Sequence, residues 1–367
     1  MKIWDAIVVG AGPAGCACAY DLASANKSVL LLDKSDFPRM KACAGALTTK
    51  TLRALRYSID PVIRQTIHHL VLEERNSASI PVQNRKPICV MTVRAELDAY
   101  FLAKTIQAGS AFQRIRGIGR IIQGERSVTV ATQDAEFHAH FLVGADGVNS
   151  QVRCMTGHAP WFRKGLALEA NIYRDARNDD LVFDFAPVAS GYGWIFPKRD
   201  HVNIGLYCID PSKHLSRARL SDYIVHRFGD HAKPDNFVGQ YLGFGAAQHR
   251  AENHRTFLVG DAGGFVDPLT GEGIYGAVIS GQAAASAICA NLDRDTDASE
   301  TFIHLTKNLR RNLGISERAA ASFYVYPDRG FQAMKIPLLR SAILKSYAEG
   351  FNLTSLAHVA RRILLGD

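Results

Sequence analysis

Residues 3 to 9 (Ile-Trp-Asp-Ala-Ile-Val-Val) and 28 to 32 (Ser-Val-Leu-Leu-Leu) form nearly continuous apolar runs, the pattern of parallel strands buried on both faces. Between them, residues 13 to 25 are rich in alanine and read as a helix, so strand, helix and strand follow one another as a βαβ unit. Residues 66 to 91 alternate around the turn-prone Arg75-Asn76-Ser77, which predicts hairpin strands. A helix is expected over 94 to 108, then strands over 111 to 133 and 136 to 143. From 164 to 246 the pattern is mostly that of strands, with one helical insertion near 215 to 228. The run at 256 to 260 (Thr-Phe-Leu-Val-Gly) predicts another buried parallel strand, which leads through a Gly-rich turn into an Ala-rich helix. Residues 301 to 367 read as helical and basic.

This order implies an α/β chain in which a Rossmann-like fold starts at the N-terminus, is interrupted by a mostly antiparallel substrate sheet, and resumes late. The expected division assigns 1–65, 92–160 and 247–300 to a cofactor-binding domain. Residues 66–91 and 161–246 form the substrate-binding domain, and 301–367 the helical C-terminal region. At 367 residues, 47% hydrophobic and 21% charged, the chain is long enough for a substantial buried core and is not a disordered protein. Its seven cysteines are odd in number and scattered, without the spacing of a zinc site or a disulfide framework. No metal is expected, and a reducing cytoplasm is the simplest setting. No basic region with a long apolar stretch and cleavage site opens the chain, so it reads as unprocessed. The stretch from Gly273 to Ala290 is almost free of charge, but its Gly, Ala and Ser content reads as a closely packed core helix and not a membrane span. The net charge of +8 suits a solvated surface, an anionic nucleotide or a membrane face. No nucleic-acid motif accompanies it.

The chemistry starts at Gly10-Ala11-Gly12-Pro13-Ala14-Gly15, which follows the first strand and opens the first helix. Glycines there permit a tight turn and the close approach of a pyrophosphate, whose charge rests on the helix N-terminus. Asp33 lies 18 residues past Gly15, near the ~20-residue spacing of an acidic ribose partner. This motif alone does not separate FAD from NAD.

Two other segments separate them. Gly144-Ala145-Asp146-Gly147-Val148-Asn149-Ser150-Gln151-Val152-Arg153 resembles the GADGxxSxVR segment of flavoprotein hydroxylases and their relatives. Gly260-Asp261-Ala262-Gly263 through Pro268 to Gly271-Glu272-Gly273-Ile274-Tyr275-Gly276 resembles the second FAD motif of that superfamily, GDAxxxxxPxxGxGxxxA. The resemblance implies the aromatic-hydroxylase type of fold, with FAD as cofactor. It places Gly10, Gly12, Pro13, Ala14, Gly15, Asp33, Lys34 and Arg39 on FAD, with Asp146 and Gly147 close by and Asp261 on a ribityl hydroxyl. Pro268, Gly271, Gly273 and Ile274 would lie at the flavin's pyrimidine edge, where helix-end potential favours the anionic reduced flavin. Arg94 matches the Arg that opens a helix and contacts FAD in this superfamily. Plain structural roles stay open beside these: a turn-forming Asp146, a helix-capping Asp261, an exposed helical Arg94. Gly271 to Gly276 also spells GxGxxG, but it follows no strand directly, so a second dinucleotide fold is not expected.

Two segments narrow the resemblance to the geranylgeranyl reductase family. Residues 37 to 47, Phe37-Pro38-Arg39-Met40-Lys41-Ala42-Cys43-Ala44-Gly45-Ala46-Leu47, resemble its PxxKxCGGGL segment. Tyr192-Gly193-Trp194-Ile195-Phe196-Pro197-Lys198 resembles its YxWxFPK motif. Ala44 and Ala46 stand where the family has glycine, which reshapes the loop that the resemblance places over the flavin with Gly45. Cys43 reads either as a proton donor or as a small lining residue. Tyr192, Trp194 and Phe196 alternate, so they share one strand face and line either an apolar substrate cavity or an ordinary core. Cys43, Trp194 and Tyr192 are the expected catalytic residues. At the C-terminus Leu353, Leu356, Ala360, Ile363 and Leu364 fall on one helical face beside Arg361 and Arg362. That face fits docking on the protein's own core or peripheral contact with a membrane.

The family implies hydride transfer from NAD(P)H, bound transiently, to FAD. The preferred reading passes that hydride on to a carbon–carbon double bond of an apolar, prenyl-like substrate. The alternatives are a monooxygenase acting on an electron-rich small molecule, and a prenyl-binding escort protein without flavin chemistry.

Overall fold

A computed structural model of the chain describes residues 2–74, 78–157, 162–185, 187–213, 215–235, 237–248 and 254–350. Leu353, Leu356, Ala360 and Ile363 to Leu364, with the two arginines between them, lie outside the described residues. Two compact units emerge: Met1–Met40, Ala95–Lys164 and Leu242–Gly314 in the first, Lys41–Arg94, Gly165–Tyr241 and Ile315–Asp367 in the second.

The first unit is built on the expected βαβ core. Strand Ile3–Val9 pairs in parallel with Val29–Asp33 on one side and Glu136–Gly144 on the other. Ala111–Arg114 extends the sheet beyond Val29–Asp33, and Thr256–Leu258 pairs in parallel with Glu136–Gly144. Val128–Thr132 and Ile118–Gln123 continue it antiparallel. Ile7, Val8, Leu31 and Leu32 are wholly buried, which for each side chain is worth about 2 kcal/mol. The last parallel strand ends at Leu258, two residues earlier than the apolar run predicts. Gly260, with φ +57°, turns the chain into a short 3-10 helix, Gly260–Gly263.

Helix Pro13–Ser24 lies against helix Ile274–Arg294. Gly281 makes this approach possible, because a Cβ there would stand 2.3 Å from the Ala14 carbonyl oxygen. The uncharged stretch after Gly273 is therefore a packed core helix, buried along much of its length. Among the described residues no helix is long and apolar enough to cross a membrane.

The second unit carries a mostly antiparallel sheet. Arg163–Tyr173, His201–Cys208, Gly191–Pro197 and Leu181–Phe185 pair antiparallel in that order, and His69–Glu74 joins the last in parallel with Ala78–Gln83 beyond it. Alternation divides its side chains between two faces. One face sends Ala170, Ile172, Val182, Ile195, Val202 and Ile204 against Leu220 and Ile224 of helix Arg217–Phe228. The other bears Phe183, Phe185, Tyr192, Trp194, Phe196 and Tyr207 as one connected set of rings. Helix Ala298–Val325 reaches this set with Phe323 and Tyr324, whose ring centroids lie 5.1 Å from Phe185 and 6.4 Å from Tyr207. Tyr347, on helix Pro337–Glu349, closes on Phe183 at 5.9 Å. The expected helical C-terminus is thus observed as far as Glu349. A smaller antiparallel sheet joins Ala46–Thr48, Cys89–Met91 and Gln65–Ile67.

Candidate functional site

In the first unit the three glycine-rich motifs converge on the start of helix Pro13–Ser24. Gly10 takes φ +104°, and a Cβ there would meet the Ala145 carbonyl oxygen at 2.3 Å. Ala14 touches the third motif, since a Cβ on Gly260 would lie 2.9 Å from the Ala14 side chain. Gly260 is fastened in turn by its N–H to the Ser280 hydroxyl at 2.9 Å. The helix begins with Gly12 as N-cap, Pro13 behind it, no side-chain cap and no acidic residue in its first turn. Its free N–H groups and positive end are therefore open to an anion.

Asp33 ends the second strand, buried, and accepts the Ala11 N–H at 2.7 Å and the Ser35 N–H at 2.8 Å. Each carboxylate oxygen keeps a lone pair for a hydroxyl donor. Lys34 beside it is exposed. Arg39 reaches back over the glycine turn: its guanidinium lies 3.3 Å from the position of a Gly12 Cβ and donates to Asp98 at 3.2 Å. The buried Arg39 Nε finds no hydrogen-bond partner among the described residues. An uncapped helix end, an unobstructed Gly12 and a guanidinium with an unused buried donor fit a diphosphate, and Asp33 fits the adjoining ribose.

Asp146 has another task. Its carboxylate accepts the Ser150 hydroxyl at 2.5 Å and the N–H groups of Gln151 at 2.6 Å and Val152 at 3.1 Å. It thereby holds the start of helix Gln151–Met155, where Ser150 is the N-cap. Burial raises its carboxyl above the ordinary range, opposed by these donors. The resemblance places Asp146 close to the cofactor and the residues alone offer a turn former; the geometry shows it capping this helix. Gly147, with φ +79°, has open space where a Cβ would be.

Asp261 sits in the 3-10 turn, and its Oδ1 lies 3.5 Å from where a Cβ of Gly273 would stand. Gly273 is the N-cap of helix Ile274–Arg294, again without a side-chain cap, and Gly271 takes φ +68°. The capping alternative for Asp261 is therefore not observed. Pro268 is buried in the loop between them.

Sequence reasoning missed Arg153, the last residue of the second motif. Its guanidinium donates to the Ala262 carbonyl at 2.8 Å and the Val148 carbonyl at 2.7 Å, and stacks on Phe162 at 3.5 Å. It ties the second motif to the third. Replacing Arg153 by leucine leaves two buried carbonyls without a donor, about 3 kcal/mol in sum. A fall of several degrees in the melting temperature of the FAD-loaded protein is expected; unchanged melting would overturn this bracing role.

The other predicted residues belong to the second unit. Cys43 is half-buried, and its N–H donates to Glu169 Oε1 at 2.8 Å. The Gly45 N–H meets the Cys43 sulfur at 3.4 Å, and Lys198 Nζ lies 3.5 Å from the Cys43 carbonyl. Ala44 and Ala46 flank Gly45, half-buried, and Arg94 is buried at the start of helix Arg94–Gln107. Glu169 and Lys198 are buried at 8% and 3% exposure. Burial raises the Glu169 carboxyl, against the pull of Lys198, the Cys43 N–H, the Asn203 amide and Arg94. Burial lowers the Lys198 ammonium, opposed by Glu169. Each is drawn toward its neutral form. Tyr192 and Trp194 do share one strand face, their rings 6.2 Å apart. The Trp194 indole N–H donates to Asn203 Oδ1 at 2.7 Å, and its ring occupies the space left by Gly205, where a Cβ would lie 2.2 Å away.

Comparison with known proteins identifies the cofactor class and the family. The FAD binding domain family matches residues 4–178. An uncharacterized protein of Methanosarcina barkeri is 32% identical over 295 residues, covering 80% of this chain and 76% of that one. Digeranylgeranylglycerophospholipid reductase 1 of Methanopyrus kandleri is 26% identical, covering 82% of this chain and 84% of its own. Among solved structures, a geranylgeranyl bacteriochlorophyll reductase-like protein of Thermoplasma acidophilum shares the fold with a TM-score of 0.82 at 18% identity, covering 98% of this chain and 99% of that one. The protein is an FAD-dependent oxidoreductase enzyme. By its motifs, fold and relatives, the chain belongs to the geranylgeranyl reductase family of FAD-dependent oxidoreductases.

Proposed function

We propose that this enzyme reduces carbon–carbon double bonds of an isoprenoid chain attached to a polar head group, with NAD(P)H recharging the flavin. The observation that carries this reading is the connected set of rings on one sheet face, Phe183, Phe185, Tyr192, Trp194, Phe196 and Tyr207. Such a wall receives a long apolar chain by area and shape, with few directional demands. The geranylgeranyl-type substrate named for the Methanopyrus relative is a chain of that kind.

Gly10 to Gly15, Asp33 and Arg39 would hold FAD, which when bound and reduced would supply the hydride for one alkene carbon. The other carbon needs a proton. We assign it to Cys43, whose sulfur accepts the Gly45 N–H and whose S–H is left to donate. Tyr192 and Trp194 orient the chain, and the apolar wall excludes the water that would compete for the site. Asp261 and the uncapped start of helix Ile274–Arg294 would offer polar contacts and positive potential to the flavin.

Anaerobic mixing of the reduced holoenzyme with a geranylgeranylated lipid tests this. Reoxidation of the flavin with gain of two hydrogens per double bond is expected. A product formed only with oxygen, and carrying an oxygen atom, would replace this reading with the monooxygenase one.

A further inference from the structure

The sheet face that bears the aromatic wall also bears polar groups that packing alone does not call for. Glu169 and Asn171 lie on it along strand Arg163–Tyr173, opposite Gly205 and Asn203, and Trp194 lies opposite Gly205 from the other side. One chain of hydrogen bonds runs from Asp235 through Asn171 and Asn203 to Trp194. Asp235 accepts the Asn171 N–H at 2.9 Å, Asn171 Oδ1 accepts from Asn203 at 3.0 Å, and Asn203 Oδ1 accepts the Trp194 indole N–H at 2.7 Å. Asn203 stands diagonal to Glu169 on the same face and its amide draws the Glu169 carboxyl down, while Glu169 Oε1 takes the Cys43 N–H at 2.8 Å. Lys198, from the turn that follows the Trp194 strand, approaches the carbonyl of the same residue.

A buried carboxylate in an apolar wall costs several kcal/mol unless it is well partnered. Here its partners are the backbone of the Cys43 loop and the amide that fixes the Trp194 indole. We infer that Glu169 is a positioning residue, which sets the Cys43 loop and, through Asn203, the Trp194 ring as one unit whose geometry follows the ionisation of Glu169. The inference rests on the proposed roles of Cys43 and Trp194 in the reaction, whereas the coupling itself is a property of the network. The charged and titratable groups around Glu169 are Lys198, Arg94 and the Cys43 thiol. Because burial lifts the carboxyl, its transition falls above the ordinary carboxylate range.

The test uses the full-length protein with Trp4→Phe and Trp161→Phe, which leaves Trp194 as the one indole. Two signals are followed: Trp194 emission against pH, and alkylation of Cys43 by iodoacetamide, read on its own peptide by mass spectrometry. Trp194 emission is expected to titrate in this background and to lose its pH response in Glu169→Gln, which keeps the acceptor and the fold. Cys43 alkylation is expected to rise about tenfold in Glu169→Ala, the change brought by losing one hydrogen bond to a charged acceptor, and to stay near wild type in Glu169→Gln. Asn203→Leu is expected to separate the arms, abolishing the Trp194 response while leaving Cys43 alkylation unchanged. A Trp194 titration that survives Glu169→Gln, or Cys43 alkylation equal in Glu169→Ala and wild type, overturns the inference. Absence of prenyl reduction in the wild type with both signals present would instead sink the proposed reaction and leave the positioning network standing.

Discussion

Gly15→Ala is expected to purify without its flavin. A Cβ at position 15 would stand 1.8 Å from the Gly10 carbonyl oxygen and 3.2 Å from the Ala145 side chain. Neither neighbour has room to retreat. The Gly10 N–H is bonded to the Leu32 carbonyl and the Ala145 N–H to the Val9 carbonyl, both at 2.7 Å, which pins the turn to the parallel sheet. Helix Pro13–Ser24 cannot lift away either, because Ala14 already lies against Gly281 of helix Ile274–Arg294 at a distance that admits no side chain. Overpacking of this kind costs about 1–3 kcal/mol, and it acts on the helix end that meets the diphosphate. FAD affinity is expected to fall by about a hundredfold or more, with the loss of roughly 3 kcal/mol. The measurement is flavin absorbance after gel filtration, followed by titration with added FAD. Gly12→Ala is the control: its Cβ would meet only the end of Arg39, at 3.3 Å, so the fold should persist while the diphosphate is crowded. A Gly15→Ala protein that binds FAD as tightly as wild type would remove this turn from the cofactor site.

The same contacts explain what the sequence made legible. Apolar runs at 3 to 9 and 28 to 32 with a glycine turn between them leave few alternatives, because a parallel pair needs a helical crossover and its hand is fixed. Hence the βαβ unit, the buried Asp33 at the strand end and the alternating Tyr192, Trp194 and Phe196 all follow from local pattern. Glu169 did not. It sits in a strand whose alternation separates two faces but cannot report that both faces are covered, so a buried carboxylate reads like a solvated one. Arg153 was hidden for a related reason: its acceptors, at 148 and 262, are close only after the third motif has folded onto the second. The resemblance sets Asp146 near the cofactor, and its observed donors are its own near neighbours at 150 to 152. An Asp before Gly with Ser four residues on is a local capping signal that stands beside the motif. The strand predicted over 256 to 260 was too long because an apolar run does not reveal that Gly260 takes a positive φ.

Gly45→Ala is expected to separate the flavin from the reaction. Gly45 takes φ +74°, where a Cβ costs about 1–2 kcal/mol. The added atom would also stand 2.1 Å from the Thr92 carbonyl oxygen and 2.9 Å from Lys198 Nζ. Thr92 cannot yield, since its N–H and its hydroxyl both bond the Gly45 carbonyl, at 2.8 and 3.0 Å, and Ala46 pairs with Met91 in the adjoining ladder. The loop itself must therefore move, carrying Cys43 off its bond to Glu169 and displacing the Lys198 ammonium. Ala44 and Ala46, which stand where the family has glycine, show that side chains are accepted on either side of this position, whereas Gly45 keeps the one conformation that only glycine holds without strain. A displacement of about 1 Å at a proton donor lowers turnover roughly a hundredfold. FAD should stay bound, because Gly10 to Gly15, Asp33 and Arg39, which would hold it, belong to the first unit and Gly45 to the second. The expected result is a yellow protein, reducible by NAD(P)H, whose anaerobic reoxidation by a geranylgeranylated lipid is about a hundredfold slower. Wild-type reoxidation in Gly45→Ala would show that the Cys43 loop does not serve the chemical step, and loss of FAD would assign the loop to the cofactor instead.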